Sequence, residues 1–551
     1  MHDQYRQQPP PLKADYILGH SPSYAKTDDV SSSYLAPPQR PVQESTVRGR
    51  FVAGEEFFNY DAMGGLREGL HAVELMTASY FGLLVNSAIG GFATIFFQYV
   101  FQQLLVADFT AHHQAQINAA KYLLQWPGAF SVFIGLISDS IPIMGSRRKS
   151  YMILGWIIAC IMFLSMVIVY HTTSSEVAIR GYLLLIFGII AAFGLQVSYI
   201  AALAMTVELA QREHLYQRGH LQSFYLALYF GFSLIAQIVA AYVLKPSDDG
   251  VSMTATIDLA EAAAILAGIC VVPLPFLLFC LVEDRADGHR VPLTRRMGEL
   301  WRLLQWKVVY MILFFLCGAM FFSAAYDDNV QTAVMLWSNI MPSKAMWIYV
   351  VKMAAKFVGV VIWKAWLVNY SWRRLAFIML LLNVVANMVL AVPTIYDAVR
   401  NEWYLHFWSL VADIPFGLFE LFVLVAPTEI ADIGREGAVI GLVYSFMVLI
   451  VIATFTLWES VSDAVGLNVN VMEIMVDSRE TRNEIMTAGS VYIVVNLLGV
   501  ATAFFMPNQK LDAQQQRAFG GYNRLARMVL TLVFVLLLTY DLVANILKIT
   551  A

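Results

Sequence analysis

The sequence predicts an all-α integral membrane protein with twelve transmembrane helices in two six-helix halves, and a candidate thirteenth helix near the C-terminus. Three observations predict this fold class. Of the 551 residues, 59% are hydrophobic and only 14% are charged, whereas a soluble domain carries about a quarter charged residues. Apolar runs of about 20 residues, the length that crosses a bilayer, recur along the chain. A charged stretch then divides these runs into two equal sets.

The apolar runs that could span a bilayer are separated in the middle by the most polar connector between them, residues 283–308. The first set covers residues 79–101, 122–143, 151–170, 181–205, 221–244 and 260–282, and the second covers 309–326, 346–367, 375–393, 405–430, 438–458 and 488–506. A further run at 528–547 contains Asp541 and Asn545, so it could be a thirteenth span or a helix on the membrane surface. Six spans, a charged linker and six more spans is the arrangement of a major facilitator transporter.

These runs predict five regions along the chain. Residues 1–50 are rich in Pro, Ser, Gln and Tyr and have no apolar run typical of a signal peptide. Such a composition buries too little apolar surface to fold, so residues 1–70 are expected to be a disordered cytosolic tail. The remaining regions are an N-terminal half (71–282), a cytosolic linker (283–308), a C-terminal half (309–510) and a C-terminal segment (511–551) with the apolar helix 528–547.

Basic side chains concentrate on one side of the predicted bundle, which sets its orientation. They occur in the 2–3, 4–5 and 8–9 loops, in the linker and after the last span: Arg147, Arg148, Lys149, Arg212, Arg218, Arg373, Arg374, Lys510, Arg517, Arg524 and Arg527. Loops on the other side carry mostly single charges. By the positive-inside rule, the N-terminus and the linker are expected in the cytosol, and the sequence does not distinguish the plasma membrane from an organelle membrane.

The loop between the second and third predicted spans carries a motif. Residues 135–149 read GLISDSIPIMGSRRK, with Gly135, Asp139, Gly145, Arg147 and Arg148 at spacings that resemble the loop 2–3 signature of the major facilitator superfamily. That signature implies charge pairs across the two halves that stabilise the outward-facing state. An arginine pair alone would indicate only an ordinary positive-inside turn. A weaker repeat of the motif, Ser371-Trp372-Arg373-Arg374, lies in the second half.

A longer set of motifs resembles the folate–biopterin transporter family. The run from Lys121 through GLISDSIPIMGSRRKSYMILGW is followed in the family's order by VELAQRE at 207–213, Arg218-Gly219, NYSWRR at 369–374, Arg435-Glu436-Gly437 and MPNQK at 506–510. The resemblance implies a secondary transporter of a folate- or pterin-like solute, with protons as candidate coupling ions. It also implies salt bridges of a cytosolic gate at Glu208, Arg212 and Arg218.

Three positions depart from the family pattern. Ser131 replaces a lysine of the second span, and Tyr199 and Leu203 replace an aspartate pair of the fourth. The three charges would plausibly neutralise one another, and their joint loss avoids leaving a charge unpaired in the membrane. The departures therefore indicate a changed binding site, and they call folate specificity and proton coupling through the fourth span into question.

Ionisable residues inside spans are functional candidates because they are costly in a bilayer. Lys352 and Lys356 lie four residues apart on span 8, and Asp413 and Glu420 lie seven apart on span 10. Lys356 is the candidate anchor for an anionic solute, with Asp413 or Glu420 as counter-ion or proton carrier. A salt bridge that serves packing alone explains the same residues. The neutral polar candidates for the site are Asn86, Gln196, Tyr199 and Tyr444.

The remaining patterns exclude several classes of protein. No glycine-rich phosphate-binding loop and no catalytic constellation is present, and the net charge of −4 offers no basic surplus for nucleic acid. Histidines 112 and 113 lack a third ligand nearby, so no metal or other cofactor is expected. The predicted partners are therefore a small solute, the lipid bilayer and protons. The alternative is a family member without transport activity that acts as a membrane sensor or scaffold.

Overall fold

The computed structural model describes residues 65–67, 70–108, 114–172, 177–246, 253–283, 291–325, 328–340, 344–465, 469 and 471–550. The predicted tail, 1–70, lies outside the described residues except for 65–67 and 70. The described chain is helical apart from one antiparallel hairpin, in which Leu244–Pro246 (β1) pairs with Met253–Ala255 (β2).

The described residues of the first half form nine helices. They are α1 (Phe81–Phe96), continued by a π-helical turn at Phe97–Phe101, α2 (Gln102–Asp108), α3 (Gln114–Gln125), α4 (Ser131–Ser140), α5 (Lys149–Thr172), α6 (Val177–Ala210), α7 (His220–Val243), α8 (Leu259–Val271) and α9 (Pro273–Phe279). A 3-10 turn at Trp126–Phe130 separates α3 from α4. In the predicted linker the described residues include the helix α10 (Leu293–Leu303).

The second half and the C-terminal segment follow. Their helices are α11 (Lys307–Ser323), α12 (Asp328–Trp337), α13 (Trp347–Ile362), continued by a π-helical turn at Trp363–Leu367, α14 (Trp372–Ile395), α15 (Glu402–Ile430), α16 (Glu436–Val465), α17 (Val471–Val476), α18 (Arg479–Ala501), a 3-10 turn at Thr502–Phe505, α19 (Lys510–Phe519) and α20 (Arg524–Thr550).

Ten of the described helices are long and apolar enough to cross a bilayer. Nine of them coincide with predicted spans, and the tenth is α20, the candidate thirteenth. The other three predicted spans are shorter or interrupted. Pro127, which has no backbone N–H, lies in the 3-10 turn within 122–143; α11 has 17 residues; and α13 has 16 before its π-helical turn. The integral multi-pass fold is confirmed, and the number twelve stays a prediction.

The two halves meet along two seams. In the first seam α4 packs on α16, and in the second seam α7 packs on α13. The first seam is a close backbone contact: a Cβ atom on Gly135 would overlap the carbonyl oxygen of Gly437, and one on Gly441 would overlap that of Ser131. Small residues permit this approach where lipid supplies no hydrophobic force between helices. The first seam therefore depends on glycine at both sides of the contact.

The second seam is apolar and aromatic. Ala241 and Leu244 from the end of α7 form a buried cluster with Met346 and Val350 at the start of α13. Nearby, the rings of Tyr242 and Trp347 meet edge to face with their centroids 5.5 Å apart.

We expect Gly135→Ala to lower the midpoint of thermal unfolding, because the new methyl group must push α16 away from α4. Overpacking of this kind costs about 1–3 kcal/mol. The matched control is Gly268→Ala in α8, where an added Cβ meets no atom within 4 Å. Intrinsic fluorescence during heating of the purified proteins measures both. Equal midpoints for Gly135→Ala and the control would contradict the described contact.

Candidate functional site

Tyrosines from both halves meet in the interior of the bundle. The hydroxyl groups of Tyr199 on α6 and Tyr444 on α16 are hydrogen-bonded at 2.6 Å, and their rings meet edge to face with centroids 5.3 Å apart. The ring of Tyr229 on α7 lies 5.5 Å from that of Tyr199. Three aromatic faces and their hydroxyls thus form one side of a polar region between the halves.

Charged side chains lie beside these tyrosines because α13 and α15 approach at glycine. A Cβ atom on Gly417 of α15 would overlap the backbone carbonyl of Lys356 on α13. Glu420 lies in hydrogen-bonding reach of Tyr444 and interacts electrostatically with Lys356. Asp413, two turns earlier on α15, interacts with Lys356 as well. We call Lys352, Lys356, Asp413, Glu420, Tyr199 and Tyr444 the central cluster.

The four charges of the central cluster are close to one another but not joined. Among the residues that the structure describes, Lys352, Lys356, Asp413 and Glu420 form no ion pair within 4.0 Å. All four side chains are half-buried. Ion pairs that serve packing alone would be expected to close, because an uncompensated charge inside a membrane protein is costly. In the described structure the lysines and carboxylates of the central cluster are therefore neighbours without a closed ion pair.

Two of the predicted polar candidates have interhelical roles. The Asn86 side-chain oxygen accepts hydrogen bonds from the Trp156 indole N–H (2.7 Å) and the Ser198 hydroxyl (3.3 Å). The Gln196 amide donates to the Ser131 hydroxyl at 2.8 Å. Both side chains are engaged within the first half, and the structure does not bring them into the central cluster.

The three departures from the family pattern are accommodated without charge. Ser131 is fully buried and donates to the carbonyl of Gly128 at 2.6 Å. Leu203 is fully buried in the apolar core, and Tyr199 pairs with Tyr444. At these three positions the first half therefore contributes no charge to the interior.

One end of the bundle is closed by a chain of buried ion pairs, which we call the gate network. It runs from Glu208 to Arg67 (2.9 Å), on to Glu436 (2.5 Å), to Arg148 (3.3 Å) and to Asp139 (2.5 Å). Glu436 belongs to the second half, and the other four residues precede it in the first half or in the segment before α1. The alternating charges therefore join the halves at the 2–3 loop end of the bundle.

Asp139 also caps the first turn of α16. Its carboxylate accepts the backbone N–H of Gly437 at 3.2 Å and of Ala438 at 2.7 Å. An acidic group at a helix N-terminus satisfies unpaired donors and interacts favourably with the helix dipole. The motif acid thus holds the second half by main-chain contacts in addition to its pair with Arg148.

A second cross-half contact lies beside the gate network. Arg218 pairs with Glu429 at 2.9 Å, and both are fully buried. The Gln514 amide also donates to Glu429 at 2.6 Å. Lys510 of α19 donates to the carbonyl of Leu215 at 3.2 Å, so the segment after α18 joins the same closed end.

The other predicted gate residues lie in loops or in the first turn of a helix. Gly145 adopts a φ of +80° in the turn of the 2–3 loop. Arg147 supplies a backbone N–H to Glu283 at 2.8 Å, one of several N–H groups at the start of α5 that Glu283 caps. Arg373 donates to the carbonyl of Met506 at 2.9 Å, and Arg374 is exposed. Arg212 is half-buried, with its backbone packed close to Gly65.

Sequence reasoning missed three acceptors and one donor of the closed end. Glu283, Glu429 and Glu436 carry no local signal of their partners, although the Arg435-Glu436-Gly437 motif marked the position of one. Arg67 was assigned to the tail, whereas the structure buries it to 8% exposure. Histidines 112 and 113 lie outside the described residues, and the described part of the chain contains no group of three metal-ligating side chains.

Two helical halves that pack along two seams and close at one end have the architecture of the major facilitator fold. A solved structure described as the major facilitator superfamily proton:xylose symporter XylE, bound to 6-bromo-6-deoxy-D-glucose, superposes with a TM-score of 0.54 at 12% identity over 77% of this chain and 94% of the other. At that identity the likeness concerns the fold alone.

A family model described as the BT1 family matches residues 90–469. The chain therefore belongs to the BT1 family, the folate–biopterin transporters that its motifs resemble. No curated protein matches the chain in the sequence comparison.

The closed end contains a carboxyl group that titrates near neutral pH. Glu213 accepts the backbone N–H of Gly219 and of Leu221, each at 2.9 Å. Burial raises the pKa of the Glu213 carboxyl to about 7, although these hydrogen bonds oppose the shift. Between its unfolded pKa and about 7, the folded state binds more protons than the unfolded state. The Glu213 contribution to the free energy of unfolding therefore falls as pH rises through that window.

We expect Glu213→Gln to flatten the pH dependence of thermal stability. Relative to wild type, the variant gains stability at pH 8, where wild-type Glu213 is ionised while buried, and gains least at pH 5. Unfolding midpoints across pH 5–8 measure the difference, with Glu74→Gln at an exposed position as control. Parallel profiles for wild type and Glu213→Gln would show that the carboxyl keeps its ordinary pKa.

Removal of Arg67 tests the gate network. Arg67→Gln leaves Glu436 and Glu208 facing each other with less positive charge, and breaking a buried ion pair costs about 3–5 kcal/mol. We expect a clearly lowered unfolding midpoint. The control is Arg295→Gln, whose side chain is 73% exposed and should change stability little. A midpoint for Arg67→Gln as high as that of the control would argue against the network.

Proposed function

We propose that the protein moves a small organic anion across the membrane by alternating access, with Lys356 as the anchor for its negative group. The observation that carries this proposal is the open central cluster, in which the Lys356 ammonium lies beside Asp413 and Glu420 without pairing with either within 4.0 Å. A carboxylate of the solute would complete the pairing.

The tyrosines favour a solute with a planar ring. Tyr199, Tyr229 and Tyr444 offer aromatic faces for stacking and hydroxyl groups for hydrogen bonds. A folate- or pterin-like compound, the class that the family resemblance implies, combines a flat heterocycle with polar edges, and folate adds carboxylates. Its ring would contact the tyrosines of both halves while an anionic group binds Lys356.

Charge balance supports a role for protons. Two lysines and two acids give the central cluster a formal charge of zero, so a bound anion makes the site negative. Protonation of Asp413 or Glu420 would restore neutrality before the site moves through the low-dielectric interior. This supports symport of the anion with a proton, with one of the two carboxyl groups as carrier.

Alternating access requires the closed end to open. In the described state Glu436 and Arg148, on opposite halves, are paired at 3.3 Å. Separation of α4 from α16 would expose the gate network to water, which stabilises the separated charges. The gate can therefore exist in two states, one paired and dry and the other separated and hydrated.

Uptake into proteoliposomes tests the proposal. Radiolabelled folate, biopterin and S-adenosylmethionine are offered with and without an inward proton gradient, to wild type, Lys356→Gln and the control Lys344→Gln. Lys344 is an exposed lysine outside the cluster. Folate is the anion among the three, and we expect its uptake, stimulated by the gradient. Lys356→Gln should reduce it at least about tenfold because a charged hydrogen bond is lost, and the control should not.

The alternative function is that of a sensor or scaffold that does not transport. The uncharged Ser131, Tyr199 and Leu203 at positions that carry charges in the family favour it. Binding of a labelled compound that Lys356→Gln abolishes, without accumulation inside the vesicles, would support a sensor. Neither binding nor uptake of the three compounds by correctly folded protein would contradict the proposal for this solute class.

A further inference from the structure

An open cleft lies where the linker helix and the C-terminal helix meet the first seam. Its cavity volume is about 200 Å³. Its walls come from α4, α10, α16 and α20 and include Leu136, Trp301, Leu442, Phe446, Leu530 and Phe534. We call it the seam cleft. It is separate from the central cluster, because it opens on the flank of the first seam.

The lining of the seam cleft suits hydrocarbon. Every lining side chain is apolar or aromatic except that of Thr531, and its hydroxyl is already bonded to the carbonyl of Arg527 at 2.9 Å. A polar solute would find no free partner on these walls, whereas an acyl chain needs none. Exposed Leu532 and Leu536 beside the cleft on α20 indicate that lipid surrounds its opening.

The rim of the seam cleft is positively charged. The Arg527 guanidinium lies 4.6 Å from the ring centroid of Trp301, a wall residue, and Arg527 precedes the wall residue Leu530 by one helical turn. Arg524, about one helical turn before Arg527, begins α20. Within the described ranges, neither of these two arginines pairs with a carboxylate.

The neighbouring acid cannot neutralise the rim. Glu299 on α10 is shared by Arg295, Arg296 and Arg435, at 3.4, 3.2 and 3.1 Å. Basic pockets between membrane helices attract anionic lipid headgroups, and unpaired arginine suits phosphate because it donates two parallel hydrogen bonds. The charge of the rim is therefore complementary to a phosphate that carries an apolar tail.

We propose that the seam cleft binds one anionic phospholipid, with an acyl chain along the apolar walls and the headgroup phosphate held by Arg524 and Arg527. The walls combine α4 from the first half with α16 from the second. The lipid therefore binds the state in which the first seam is closed, and it stabilises that state. This site is independent of which solute the protein transports.

Native mass spectrometry of the purified full-length protein tests the site. The protein is titrated with dioleoyl-phosphatidylserine, with dioleoyl-phosphatidylcholine and with inorganic phosphate. We expect one retained phosphatidylserine, in clear preference to phosphatidylcholine, and no retention of phosphate alone. Equal retention of both lipids, or full competition by inorganic phosphate, would overturn the proposal.

Two variants separate the headgroup from the chain. Arg524→Gln/Arg527→Gln should weaken phosphatidylserine binding by about fivefold for each arginine lost. Thr531→Trp should block the chain and abolish retention of the lipid. The control Arg374→Gln/Arg479→Gln removes two exposed arginines elsewhere and should bind as wild type. Wild-type binding by Arg524→Gln/Arg527→Gln, a surface change that spares the core, would overturn the proposal even if Thr531→Trp did not fold.

Discussion

The rest of the structure depends on five charges of alternating sign at the closed end. They run from Glu208 through Arg67, Glu436 and Arg148 to Asp139. Any one of them alone would cost several kcal/mol in a membrane protein, so they are stable only as a set. The set closes only when α4 and α16 approach at glycine, and that approach also brings the α16 backbone to Asp139. The ion pairs and the contact between α4 and α16 therefore stabilise the same closed arrangement.

The charges of the central cluster are arranged differently from those of the gate network. The gate charges are paired and buried, whereas Lys356, Asp413 and Glu420 are half-buried and unpaired within 4.0 Å. The first half contributes neutral Tyr199 and Ser131 where its family pattern carries charge. The lysines and carboxylates of the central cluster thus belong to the second half, and the first half supplies the aromatic surface opposite them.

Much of the fold could be predicted because a bilayer leaves an apolar run few choices besides a helix. Nine predicted spans were found as long apolar helices, while Pro127 interrupts the second and two others are short. The Asp139–Arg148 pair is nine residues apart and visible in a motif. Arg67 and Glu436 are 369 residues apart, and only folding brings them together. Asn86 stays a prediction as a site residue, because interhelical hydrogen bonds such as those it makes use the same residue types as a binding site.

The distance across the gate network tests most directly whether its ion pairs hold the two halves together. Spin labels at Tyr216→Cys and Ile433→Cys, exposed loop positions on opposite halves, would be measured by pulsed electron paramagnetic resonance in a protein whose four native cysteines are replaced. We expect one short distance population in the otherwise native protein and a second, longer population when Glu436→Gln weakens the network. An unchanged single distance in that variant would contradict a gate held by these charges.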